Sequence, residues 1–273
     1  MLELLFHLAD ENDPCLVECT RAIAFQVEHC RDRQGKQKLA VVAPLEFQIL
    51  STLFGAEANL DAMRTVKRVC EVGVRVADAY RGHRGEDAAL GACRNECVKY
   101  RPTLKAVRAT VSGAENRFAS KLAEAAAFQQ GIAQINGDTK RLLAEYHKSE
   151  PMLRTMAESM VDQALQRAGR TAGSREKDGY VDAVLEKFRV PLEIARDINM
   201  RVTEAGFTPN KRRANWLHDM DIAGVLSGYC YEGGESVALV TSDNAIIKAC
   251  EKAGWRANAR TNEEYLTQLG LTL

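Results

Sequence analysis

Apolar residues recur at helical spacing along most of the chain and form short continuous runs in only two places. Leu39 to Pro44 (LAVVAP) and Val237 to Thr241 (VALVT) have the pattern of strands buried on both faces. Met1 to Ala9 is apolar at 2, 5, 6 and 9, a helical spacing that a short strand also accommodates. Asp13-Pro14 supplies a capping residue and a proline ahead of a helix from Cys15 to Cys30, with Leu16, Val17, Ile23 and Val27 on one side. Another helix starts near Leu45-Glu46 and runs to about Phe54. From Ala58 to Thr208 the pattern is helical and amphipathic, with breaks at 81–85, 101–102, 136–138, 150–151 and 169–174. The stretch RTAGSREKDG (170–179) is the best candidate for a mobile loop. A helix over Asn215 to Tyr231 precedes VALVT, and a helix over Ala245 to Ala253, stopped by Gly254, follows it. A weak edge strand (Trp255 to Arg260) and a last short helix (Asn262 to Leu269) close the chain. The order predicts an α/β fold with a short parallel sheet, interrupted by a large all-helical insertion.

Composition changes this picture little. Lys+Arg and Asp+Glu balance at 37 each in 273 residues, so the chain lacks the basic excess usual for non-specific nucleic-acid wrapping. The 8 cysteines form no CxxC pairs, and Cys93 and Cys97, one helical turn apart, have no second pair to complete a zinc set. Reduced, packed thiols in a cytoplasmic protein are expected. No signal-peptide pattern stands at the N-terminus, and no apolar run approaches the roughly 20 residues that span a bilayer. P-loop, GxGxxG, HExxH and GxSxG motifs are absent from the chain.

Carboxylates stand where an open parallel sheet presents its ligands. Asp243 follows VALVT, Glu46 follows LAVVAP by two residues, and Asp219 and Asp221 lie on the helix before VALVT. Carboxylates gathered at one edge repel unless a cation neutralises them, and hard oxygen donors suit Mg²⁺ or Mn²⁺. Each has a plainer reading: Glu46 and Asp243 also suit helix N-termini, worth about 0.3–1 kcal/mol. Asp219 and Asp221, two positions apart, do not share a helical face, so one of them is expected to be solvated.

The joint pattern resembles the PIN-domain family of metal-dependent ribonucleases. Its D-x-x-I-A helix is matched by Asp219-Met220-Asp221-Ile222-Ala223, which selects Asp219. Its strand-ending V-T-x-D is matched by Val240-Thr241-Ser242-Asp243, and its second acidic position by Glu46. Gly254 and the closing Thr261 to Leu266 are also similar to the family's ending. The family's opening D-[T/S]-N has two readings. Either Asp10-Glu11-Asn12 supplies it, or the chain begins just after it. The resemblance implies a three-layer PIN-like domain over 1–57 and 209–273, with 58–208 as the helical insertion.

It also implies endoribonuclease activity, with Glu46, Asp219 and Asp243 holding Mg²⁺ or Mn²⁺ and water attacking the phosphodiester to leave a 5′-phosphate. Thr241, Ser242, Asn244, Lys211, Arg212 and Arg213 are the candidate substrate-binding residues around them. Single-stranded RNA is the expected substrate. Family members often dimerise, so a homodimer is a further expectation, as is a protein partner or inhibitor on the helical region. A rival reading makes the chain a catalytically silent interaction protein. His218 reads as a surface residue, and Trp216 and Trp255 as core.

Overall fold

The computed structural model describes residues 2–8, 10, 12–29, 44–135, 137–202, 207, 215–227, 239–268 and 270. The described residues are mostly helical, so the expected three-layer α/β fold is not what forms. Their only sheet has two strands of two residues each, β1 (Leu239–Val240) and β2 (Ala259–Arg260), paired parallel with Leu239 opposite Ala259. Most of LAVVAP and the first residues of VALVT lie outside the described residues. The physical reason for the correction lies in the long amphipathic middle of the chain. Its helices do not stand apart as an insertion but supply most of the core.

The chain forms two compact units. One comprises Met1–Val41 and Leu60–Ala114, the other Val42–Asn59 and Glu115–Leu273. The division at 59/60 falls beside the expected boundary at 57/58, and the others, at 41/42 and 114/115, have no counterpart in the expected 1–57, 58–208 and 209–273.

The first unit contains α1 (Leu2–Leu8), α2 (Leu16–His29), α4 (Leu60–Arg81) and the first part of α5 (Glu86–Ile135). Its core gathers Leu5, Leu8, Ile23, Val27, Val76, Cys93, Cys97 and Leu104. α1 settles the first segment as helix, so Asp10 does not end a strand. Its carboxylate accepts the Asn12 amide at 3.1 Å in a local turn. Asp13 ends the approach to α2 as expected, accepting the Cys15 amide at 2.8 Å. Burial pushes the Cys93 and Cys97 thiols up to about 11 and about 12, the state of packed, unreactive cysteines.

The second unit takes α3 (Leu45–Phe54), the end of α5, α6 (Gly137–Lys148), α7 (Glu150–Ala168), α8 (Ser174–Lys187) and α9 (Arg189–Val202). α10 (Asn215–Gly224), α11 (Asn244–Lys252) and α12 (Asn262–Gln268) complete it. Leu153, Ala157, Val161, Val184, Phe188, Leu192 and Ile246 form its centre. α7 begins at Ser149 with Pro151 in its first turn and ends at Gly169, whose φ of 61° is the left-handed conformation glycine tolerates. The Arg170 amide reaches back to the Leu165 carbonyl at 3.0 Å and the Gly169 amide to Gln166 at 3.2 Å, which together close a Schellman motif. The expected loop over 170–179 is mostly helix: α8 starts at Ser174, and Val181 and Val184 bury its inner face. Pro102, expected as a break, lies inside α5.

α9 packs against both α10 and α11, and α3 packs against α7 and α10. The α3–α10 packing brings Asp221 within reach of the Glu46 charge. No helix among the described residues is long and apolar enough to cross a membrane.

Candidate functional site

Two pairs of acidic side chains, Asp219 with Asp243 and Asp221 with Glu46, stand along α10 and at the starts of α11 and α3. Glu46 stands on the first turn of α3 and is 44% exposed. Asp219 and Asp221 lie on α10, and Asp243 is the N-cap of α11. Asp243 makes the plainer interaction foreseen for it, accepting the Ala245 amide at 2.7 Å, while its own amide donates to Thr241 Oγ1 at 3.0 Å.

Two pairs emerge from the electrostatics. Burial first, and then the neighbouring charge of Asp243, raise the Asp219 carboxyl to about 6, with His218 offsetting part of the rise. Burial likewise pushes Asp221 up to about 7; the Leu45 amide and His218 oppose this, and the charge of Glu46 adds to it. Asp219 and Asp243 therefore feel each other, as do Asp221 and Glu46.

Asp221 corrects the sequence reading, which expected it to be solvated. It accepts the backbone amide of Leu45 at 2.7 Å and so satisfies one of the open donors at the start of α3. Gln48, buried in α3, donates through Nε2 to the Asp221 carbonyl at 2.9 Å. The helices approach this closely because residue 224 has no side chain: a Cβ there would stand 2.6 Å from Gln48 Oε1 and 3.0 Å from its Cδ. Gly224→Ala is accordingly expected to destabilise the unit by about 1–3 kcal/mol through overpacking, read as a lowered Tm. An unchanged Tm would show that Gln48 moves aside freely.

Glu46 is engaged by a residue that the sequence did not suggest. Arg167, in the last turn of α7, places its guanidinium 2.6 Å from Glu46 Oε2 and 5.9 Å from the centre of the Phe47 ring. The other candidates are taken up locally. Ser242 Oγ accepts the Asn262 side-chain amide at 2.7 Å, Thr241 holds the Asp243 amide, and Asn244 is an exposed first residue of α11. Lys211, Arg212 and Arg213 lie outside the described residues. His218 pairs with Glu115 at 2.9 Å. Trp216 packs against the core and stacks on Phe207 at 6.4 Å, and Trp255 also packs there.

Among the described residues no three His, Cys, Asp or Glu side chains converge as a metal-ligand set. The donor set is thus a carboxylate pair, Asp219 with Asp243. Such a pair fits Mg²⁺, which keeps several of its waters and takes one or two protein carboxylates.

Compared with protein-family models, curated proteins and solved structures, the chain matches none.

Proposed function

We propose that the second unit is a divalent-cation-dependent endoribonuclease acting on single-stranded RNA. Asp219 and Asp243 hold the ion, and Glu46 holds it or orients the attacking water. The observation that carries this reading is the raised carboxyl of half-buried Asp219, to which the charge of Asp243 contributes. A half-buried carboxylate facing a second negative charge is destabilised as it ionises, and a cation relieves that repulsion. When bound, the ion supplies Lewis acidity and a more acidic water. The chain's own residues do the rest. The α11 cap bond fixes the Asp243 carboxylate, and the Asp221–Leu45 bond holds α10 against α3.

The test is Mn²⁺-dependent cleavage of a single-stranded RNA by the full chain and by Asp243→Asn. Asparagine caps a helix as well as aspartate does, so α11 is retained while the charge is lost. Activity that depends on Mn²⁺ and falls at least about 100-fold in the variant supports the reading, a loss of the size seen when a metal site is disturbed. Equal cleavage by both proteins would end it.

The interaction-protein reading is favoured by a separate observation. Phe128 on α5 is 70% exposed and Leu142 on α6 is 60% exposed, large apolar groups presented to solvent. A chain without Mn²⁺-dependent cleavage would leave this as the working account.

A further inference from the structure

We propose that Arg167 and Arg170 form a phosphate-gripping edge beside α3, with Arg167 masked by Glu46. The proposal rests on the nuclease reading and names the groups that would hold its polyanionic substrate.

A chain of zero net charge needs a local source of positive potential to hold a nucleic-acid backbone. The Schellman turn that ends α7 provides one. Arg167 lies in the last helical turn and Arg170 just beyond the left-handed Gly169, so one short stretch projects two guanidinium groups toward α3. Arg167 stands over Phe47 and Arg170 over Phe54, the latter at 4.9 Å from the ring centre. The two rings are seven residues apart, hence on one face of α3 and about 10 Å apart along its axis. A cation held over a ring is steadied by it yet keeps N–H donors for an oxyanion.

The two cations differ in their partners. Arg170 is exposed, and no carboxylate among the described residues pairs with it. Arg167 is bound to Glu46, and both partners are more than two-fifths exposed, so the pair sits in water where exchange is easy. Removing the Glu46 charge therefore frees Arg167 for a phosphate.

The test uses a labelled single-stranded RNA oligonucleotide, full-length protein, a chelator to remove divalent ions, and salt from 50 to 200 mM. Each phosphate contact adds about 0.7 to the slope of log K against log salt for a single strand. Arg170→Ala is expected to flatten the slope by about 0.7, and Arg170→Lys to keep it. Glu46→Gln is expected to steepen it by about 0.7, and Glu46→Gln with Arg167→Ala to return it to the wild-type value. A merely structural Glu46–Arg167 pair would move Tm and leave the slopes alone. Identical slopes for Glu46→Gln with and without Arg167, or an unaltered slope for Arg170→Ala, would overturn the proposal. Binding with these slopes but no Mn²⁺-dependent cleavage would sink the nuclease reading and leave the phosphate edge standing. A wild-type chain that binds no RNA would refute both.

Discussion

Replacing Asp219 with asparagine is expected to abolish cleavage while making the protein more stable at pH 8. The two effects have one origin. In the folded chain burial and the Asp243 charge raise this carboxyl from an ordinary 3.8 to about 6, so the native state takes up the proton more readily than the unfolded chain. Stability contributed by the protonated form is present at low pH and is lost as pH rises from about 4 through about 6. Above that window the ionised group opposes folding. An asparagine carries no charge to oppose it, so the variant's Tm should exceed that of wild type at pH 8 and converge with it near pH 4. Added Mn²⁺ should raise the wild-type Tm at pH 8 and leave the variant nearly unmoved, because a ligand stabilises the state it binds. A variant less stable than wild type at pH 8, or one stabilised equally by Mn²⁺, would contradict a repulsive carboxylate pair. Loss of function with gain of stability marks residues kept for chemistry rather than for folding.

The second large effect concerns Glu193, which is fully buried in α9. Its carboxylate meets Arg189 at 3.1 Å and also Arg196, and Arg189 reaches on to Glu150 at 2.5 Å. Arg196 is itself only 12% exposed and donates to the Lys148 carbonyl at 3.4 Å. Glu193→Ala leaves that guanidinium buried without its anion and is expected to cost about 3–5 kcal/mol. Chemical denaturation measures this directly. The double variant Glu193→Met, Arg196→Met removes both charges and should recover much of the loss, since a buried pair is often replaceable by apolar residues of similar size. A single variant within about 1 kcal/mol of wild type would mean that water reaches Arg196 freely.

Local signals were legible where one residue decides the outcome. Asp13 caps the approach to α2, and Gly254 at a φ of 76° stops α11. Thr261 and Glu264 exchange backbone bonds of 3.1 and 2.8 Å in a capping box that starts α12. The acidic positions of the candidate site were also legible, because residues near the starts of α3 and α11 and along α10 stand out among apolar neighbours.

What escaped depends on packing between distant segments. Pro102 lacks an amide and should weaken a helix, yet buried Cys97 and Leu104 on either side hold α5 together through it. The polar run after Gly173 becomes helix because Val181 and Val184 find the core, which no local propensity records. The role of Asp221 was hidden for the same reason: its partner, the Leu45 amide, lies 176 residues away in sequence. Arg167 carried no signal at all until α7 was placed beside α3.

α9 has a consequence beyond the core it helps to build. Among the described residues, both the Asp219-bearing helix and the Asp243-bearing helix rest on it, so it works as a spacer gauge for the gap between the two carboxylates. On the proposed reading, side-chain volume along that floor tunes ion affinity from below, without any atom of α9 reaching the ion. Enlarging or trimming a residue such as Ile198 should change which cation the edge prefers before it changes whether the chain folds.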